Sequence, residues 1–231
     1  TWRMLNIACM IMSMICQLLH SQTTEKTDPI GYTVHTVPEN SQTLIPLQLS
    51  HPVSLRQYVT EVTATGVRVN ANIPSNIFGS LALGFLEVRI GTMNGLAIPV
   101  TTVSGNFINL ERSPLGLIAV GDYISLRRER TLSEYFGTGE STPFLAGTSA
   151  NVADTVSLWD ARTQVSRVFY LHTQAGWREE GKFSDGEMEQ VPIRFPGGVI
   201  VRRRDATPLS VVISGTVISP YSQRYHPVWS G

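Results

Sequence analysis

The chain has 231 residues, with 18 basic and 18 acidic side chains giving a formal net charge of zero and charged residues making up 16%, below the ~25% of an average soluble domain. That length suffices for one large or two small cores, and the zero net charge excludes a long-range field that would gather nucleic acid or an anionic membrane. Its 19 Gly and 13 Pro supply the many turns an all-β chain needs.

The first element is an apolar run from Met4 to Leu19, following Arg3 and ending at His20-Ser21-Gln22. A spanning helix needs ~20 apolar residues, whereas a secretory signal needs a basic start and ~7 to 15 apolar residues. Residues 1–21 therefore read as a signal peptide, cut after Ser21, in preference to a membrane anchor. Cys9 and Cys16 both fall inside it, so the mature chain is expected to have neither disulfides nor thiol chemistry. The expected location is secreted or cell envelope, with no stable membrane insertion after cleavage.

Tyr32 to Val37 is a β-prone run with alternating side chains. Thr43 to Leu49 is a second strand carrying Pro46; a proline removes a ladder donor, so this strand belongs at an edge or a bulge. Val59 to Ala71 is a hairpin turning at Thr65-Gly66, and Phe85 to Ile90 with Leu96 to Val103 is another, turning through Asn94-Gly95. Phe107 to Leu110 and Tyr123 to Leu126 follow. Residues 22–130, with strands from residue 30, thus read as an antiparallel barrel or sandwich.

Thr131-Leu132-Ser133-Glu134 fits a capping box for a short helix at 132–136, and 131–152 continues as a Gly, Ser, Thr and Pro-rich linker. Residues 153–218 read as a second antiparallel β unit, a meander through Leu158-Trp159-Asp160, Arg167 to Tyr170, Gly176-Trp177-Arg178, Val199 to Arg202 and Leu209 to Val217. Residues 219–231 form an irregular tail. The fold class is all-β, with one short helix between the two β units.

Thr27 to Thr33 at the start, Leu132-Ser133-Glu134-Tyr135-Phe136-Gly137 in the middle, and the later Leu-Trp-Asp, Gly-Trp, Phe-Pro-Gly-Gly-Val-Ile-Val-Arg-Arg and Ser-Gly-Thr-Val series together resemble a paralogous family of uncharacterised secreted β-rich proteins abundant in Verrucomicrobia. The resemblance spans roughly residues 25–217. It implies an exported β-rich protein and supplies no activity, substrate or site residue. Some members end in a Pro-Glu-Pro sorting tail, which Trp229-Ser230-Gly231 does not show.

No set of residues reads as a catalytic, cofactor or metal site. His35, His51, His172 and His226 have no partner at a ligand spacing. Asp185-Gly186-Glu187-Met188-Glu189 lacks the ligand order of a calcium loop and reads as a polar turn. Glu179, Glu180, Asp160 and Asp185 offer carboxylates for glycoside hydrolysis, as almost any β domain does. Arg202-Arg203-Arg204 reads as a solvated strand end, with contact to an acidic or sulfated polysaccharide as the other reading. Among the aromatics, Trp159 is expected in the core and Trp177, beside Arg178, on the surface.

The sequence therefore points to an exported, non-enzymatic structural or adhesive protein that self-associates by strand pairing through Tyr32, Val34 and Val37 near the mature N-terminus. The alternative is a carbohydrate-binding module for extracellular polysaccharide, with Trp177, Tyr170 and Arg178 as its platform. No nucleic-acid partner is expected.

Overall fold

The computed structural model describes residues 29–79, 83–91, 93–139, 142–160, 163–182, 188–194 and 197–217. The expected signal peptide at 1–21, the polar turn at Asp185-Gly186-Glu187 and the tail from residue 219 lie outside the described residues. The fold is all-β and antiparallel, with one helix among the described residues, and no helix there is long and apolar enough to cross a membrane.

The first three strands are β1 (Ile30–Val37), β2 (Gln42–Leu47) and β3 (Leu49–Ser50). β1 does not join the strands that follow it. It pairs along its whole length with β16 (Leu209–Val217), from Ile30 opposite Thr216 to Val37 opposite Leu209, and β3 flanks β16 on the other side. β2 completes a five-stranded sheet in the order β13-β12-β11-β15-β2, where β11 is Thr155–Asp160, β12 Val165–His172, β13 Gly176–Glu179 and β15 Gly197–Arg202. Pro46 thus sits on an edge strand, opposite Gly198, where a missing donor costs the ladder little.

These two sheets face each other as a sandwich. Val37, Leu209, Val211 and Ile213 from the small sheet meet Ile45, Leu47, Val156, Phe169, Leu171, Trp177, Val199 and Val201 from the large one. The meander expectation holds for β11-β12-β13 only. β15 returns to the far side of β11, and β16 crosses to the other sheet.

Between β3 and β10 (Arg130–Thr131) the chain makes a closed six-stranded barrel from β4 (Val53–Val62), β5 (Gly66–Val69), β6 (Gly84–Ile90), β7 (Ala97–Ser104), β8 (Phe107–Leu110) and β9 (Tyr123–Arg128), ordered β4-β5-β8-β7-β6-β9. The barrel therefore starts at Val53, and not at residue 30 as the run of strands suggested. β1 to β3 belong with the C-terminal strands because their apolar sides complete that core. Val59, Val67, Leu86, Val88, Ile98, Ile108, Ile124 and Leu126 fill the barrel as a separate cluster. Closure demands close backbone approach: a Cβ on Gly66 would lie 2.0 Å from the Ile108 carbonyl oxygen across the β5–β8 ladder.

β9 ends where the helix α1 (Leu132–Phe136) begins, and the two units are tied there. Thr131 is the N-cap: its hydroxyl accepts from Glu134 N while the Glu134 carboxylate accepts from Thr131 N at 2.9 Å, as the sequence predicted. The pleat sends Arg127 and Arg128 to opposite sides. Arg127, fully buried, donates to Glu87 at 3.0 Å and to the His51 carbonyl at 2.8 Å, and Ser125 donates to the same carboxylate at 3.1 Å. Arg128 donates to the Glu134 carboxylate and, at 2.6 Å, meets His51 Nε2.

A guanidinium nitrogen that close requires a lone pair on Nε2. The His51 imidazole is therefore neutral, and the Glu134 oxygen 3.3 Å from the same nitrogen is not an ion-pair partner of it. Burial lowers the His51 pKa, and the Arg128 and Arg130 charges add to that against the pull of Glu134. Burial pushes Glu134 up, but the hydrogen bonds from Thr131 N and Arg128, with the Arg128 charge, outweigh it and hold the carboxyl below its ordinary range. Both shifts weaken the fold in acid. The unfolded chain protonates His51 as pH falls through its ordinary value of 6.5 while the folded chain resists, and the Glu134 contribution is lost as pH falls through its depressed folded value. We expect the urea midpoint to fall between pH 8 and about pH 5.5, and His51→Gln, which keeps an acceptor for Arg128, to reduce that fall. An equal fall in the variant would place the acid sensitivity elsewhere.

Candidate functional site

The alternation of β13 sends Trp177 and Arg178 to opposite faces, and the inner face takes the tryptophan. Trp177 is 0% exposed, its rim against Phe144 and Phe136, and its Nε1 donates to the Gly137 carbonyl at 2.7 Å. A buried indole whose one polar atom is satisfied by backbone is a core residue, so Trp177 is not a sugar platform. Tyr170 is buried as well, under Ala150 and Ala153. Of the three predicted platform residues only Arg178 reaches partway to solvent. Trp159, assigned to the core from the sequence, is 59% exposed. Trp177→Ala should cost ~3–5 kcal/mol by urea unfolding, against no more than ~0.5 kcal/mol for Trp159→Ala. Equal costs would contradict this assignment of faces.

The outer face of the large sheet can be followed strand by strand. One row runs Leu44, Ile200, Ser157, Val168, and the next runs Gln42, Arg202, Thr155, Tyr170, Arg178. Trp159 stands two positions beyond Ser157 on β11, opposite Ser166. The segment 145–154 folds over one side of this face. Gly147 bridges β12 at His172, Gly147 N donates to Leu171 O at 3.0 Å, and Ala150 and Ala153 close over Tyr170. Leu44, Ile200 and Trp159 stay uncovered.

Where that segment meets the end of β15 there is a cleft of about 420 Å³ lined by Asn40, Asn151, Val152, Arg202, Arg203 and Arg204. Its frame is a buried ion pair. Asp154, 0% exposed, accepts from Arg203 Nη1 at 2.5 Å, from Arg204 N at 2.7 Å and from Leu145 N at 2.8 Å. Arg203 donates also to the Thr207 and Pro143 carbonyls, the Thr207 hydroxyl and Asp205. With Arg203 so occupied, Arg202 and Arg204 are the lining arginines that have no carboxylate partner among the described residues. Arg204 is oriented by its Nε, which donates to Ala150 O at 3.1 Å. Asn40 joins from the β1–β2 turn in a left-handed conformation, φ 49°, with its N donating to Asp205 O. Replacing Asp154 by Ala strands a buried guanidinium, and the expected loss is ~3–5 kcal/mol, measurable by urea unfolding. A loss under about 1 kcal/mol would mean solvent reaches Arg203.

The second predicted site is β1. Tyr32 and Val34 project outward with Ile30 and are mostly exposed, and Val212 stands opposite Val34 on the same face. Val37 instead points inward and is fully buried, so it anchors the strand in the core and adds nothing to the outer face. β16 occupies one edge of β1, and among the described residues no strand pairs with the other edge.

Among the described residues no three His, Cys, Asp or Glu side chains group as metal ligands do. No family model, curated protein or solved structure matches the chain.

Proposed function

We propose that this is an exported, non-enzymatic structural or adhesive protein that self-associates by adding β1 of one copy to β1 of another. The observation that carries this reading is a contrast among the outer strands of the sandwich. An open edge displays unpaired backbone donors and acceptors, and proteins ordinarily defend it with brevity, charge or proline. β3 has 2 residues, β13 has 4 and carries Arg178 and Glu179, and β2 carries Pro46. β1 has 8 residues, Ile-Gly-Tyr-Thr-Val-His-Thr-Val, with no acid, lysine, arginine or proline. Its outward side chains are Ile30, Tyr32, Val34 and Thr36, the first three largely apolar, so strand addition would also bury apolar surface.

The engagement of the buried carboxylates supports the non-enzymatic part. Glu87 is held by Arg127, Arg89 and Ser125, and Asp154 by Arg203. Glu179 takes both nitrogens of Arg167, at 2.9 and 2.7 Å, which together with Lys182 holds its carboxyl below the ordinary range against burial. Carboxylates locked in this way are poor general acids or bases at neutral pH. Export rests on the apolar run Met4 to Leu19.

The test is the mass of the exported chain by light scattering across a wide concentration range, with hydrogen exchange on Ile30 to Val37. In a monomer, the β1 amides turned toward β16 are protected and the alternate ones exchange freely; association should protect both sets. Tyr32→Lys with Val34→Lys places charge on the exposed edge and should return the protein to a monomer, with stability changed by no more than about 1 kcal/mol. A wild-type chain that stays monomeric throughout would sink the reading.

A further inference from the structure

Beyond self-association, the open half of the large sheet's outer face has the makings of a ligand site. It is a strip of sheet surface over Ile200, Leu44 and Ser157, with the exposed indole of Trp159 at one end and the cleft with Arg202 and Arg204 at the other. The two ends are displaced along the strands by the four residues from Thr155, which faces Arg202, to Trp159. At ~3.3 Å per residue that is about 13 Å, the span of a short oligosaccharide.

The chemistry of the ends differs in a way that selects the ligand. A flat, solvent-facing indole suits the apolar face of a sugar ring or another flat group. Paired guanidiniums suit a carboxylate or sulfate, each oxygen accepting a charge-assisted bond. Arg203 is more than balanced within the frame by Asp154 and Asp205, so the positive charge available to a ligand at the cleft is that of Arg202 and Arg204. Asn40 and Asn151 add neutral hydrogen-bonding groups of the kind hydroxyls require. The buried Asp154–Arg203 pair holds the backbone of 203 and 204 in place, so the cleft is preformed.

We propose that this strip binds an acidic polysaccharide, one ring stacked on Trp159 and a carboxylate or sulfate two or more rings away held by Arg202 and Arg204. The site comprises residues of β2, β11 and β15 together with the 145–154 segment, and it excludes Trp177. Single-stranded nucleic acid offers stacking and anions too, but its binders stack successive bases on several aromatic side chains, and among the described residues of this face Trp159 is the one exposed ring.

Affinity electrophoresis of the full chain through gels holding polygalacturonate, dextran sulfate, neutral dextran or poly-dT tests this. Retardation by polygalacturonate identifies a carboxylate ligand and retardation by dextran sulfate a sulfate ligand. Either should weaken with salt, and should fall about tenfold both in Trp159→Ala and in Arg202→Gln with Arg204→Gln. Circular dichroism checks that these surface variants remain folded. Four outcomes overturn the proposal: no retardation by either acidic polymer, equal retardation by neutral dextran, tighter binding of poly-dT, or retardation lost in the arginine variant yet intact in Trp159→Ala. The last would be adsorption of any polyanion to arginine.

Discussion

The antiparallel pairing of β1 with β16 is the constraint on which the rest of the structure depends. It joins Ile30–Val37 to Leu209–Val217 across nearly the whole described chain, so the barrel inserted between β3 and β10 must leave the sandwich and come back to it. The barrel satisfies this because its entry and exit strands are neighbours. β4 and β9 pair antiparallel with Val53 opposite Arg127, and β3 and β10 therefore lie at the same end of the barrel. An element whose two ends lie together can occupy a connection of any length without straining the sheet that receives it. The loop-closure cost of so long an excursion grows only as the logarithm of its length.

The junction must then fix an orientation as well as a connection, and a few side chains do so. Glu134 closes the capping box of α1 and also accepts from Arg128, so the helix start and the barrel exit share one carboxylate. Arg127, one residue earlier, reaches the His51 carbonyl at the barrel entry. Arg194 and Glu111 add a tie at 2.6 Å between the strand β14 (Pro192–Ile193) and the loop after β8. Each buried arginine carries several acceptors, as a guanidinium away from water must. Polar groups in this protein chiefly hold units in register, while the two apolar clusters supply the driving force.

What the sequence displayed was local. Thr131 and Glu134 announced the cap because a capping box is a spacing of three residues, Pro46 announced an edge because a missing donor has no other comfortable place, and the hairpins of β4–β5 and β6–β7 were written in their turns. Choice of partner is not local. Nothing within Tyr32 to Val37 distinguishes pairing with β2 from pairing with a strand that comes 170 residues later, and so the barrel boundary was misplaced. The tryptophans were exchanged for a related reason. Period-2 alternation says that Trp177 and Arg178 face opposite ways, and likewise Leu158 and Trp159, but not which parity is inside. Leu158 took the inner position of β11 and turned Trp159 out. Tyr170 shows a third limit, because it lies on the outer face and is buried all the same, under a segment that reads as linker. A face is solvent-exposed only where nothing else in the chain returns to cover it.

The arrangement separates the two proposed interactions in space. β1 is an edge of the small sheet, whereas the proposed binding strip lies on the outer surface of the large one, and strand addition along β1 would extend the former in its own plane. Assembly would then change the physics of ligand binding even with the strip itself unchanged. A single shallow site with two charged contacts and one stacked ring binds weakly, but sites repeated on linked copies meet successive stretches of the same polymer at high effective concentration. The β1–β2 turn couples the two at one point, because Asn40 lies both at the end of the pairing strand and in the wall of the arginine cleft. Its left-handed backbone and its bond to Asp205 O fix that turn, so a second copy paired to β1 would meet a cleft wall already in place, and any gain in ligand affinity on assembly would come from the repetition of sites.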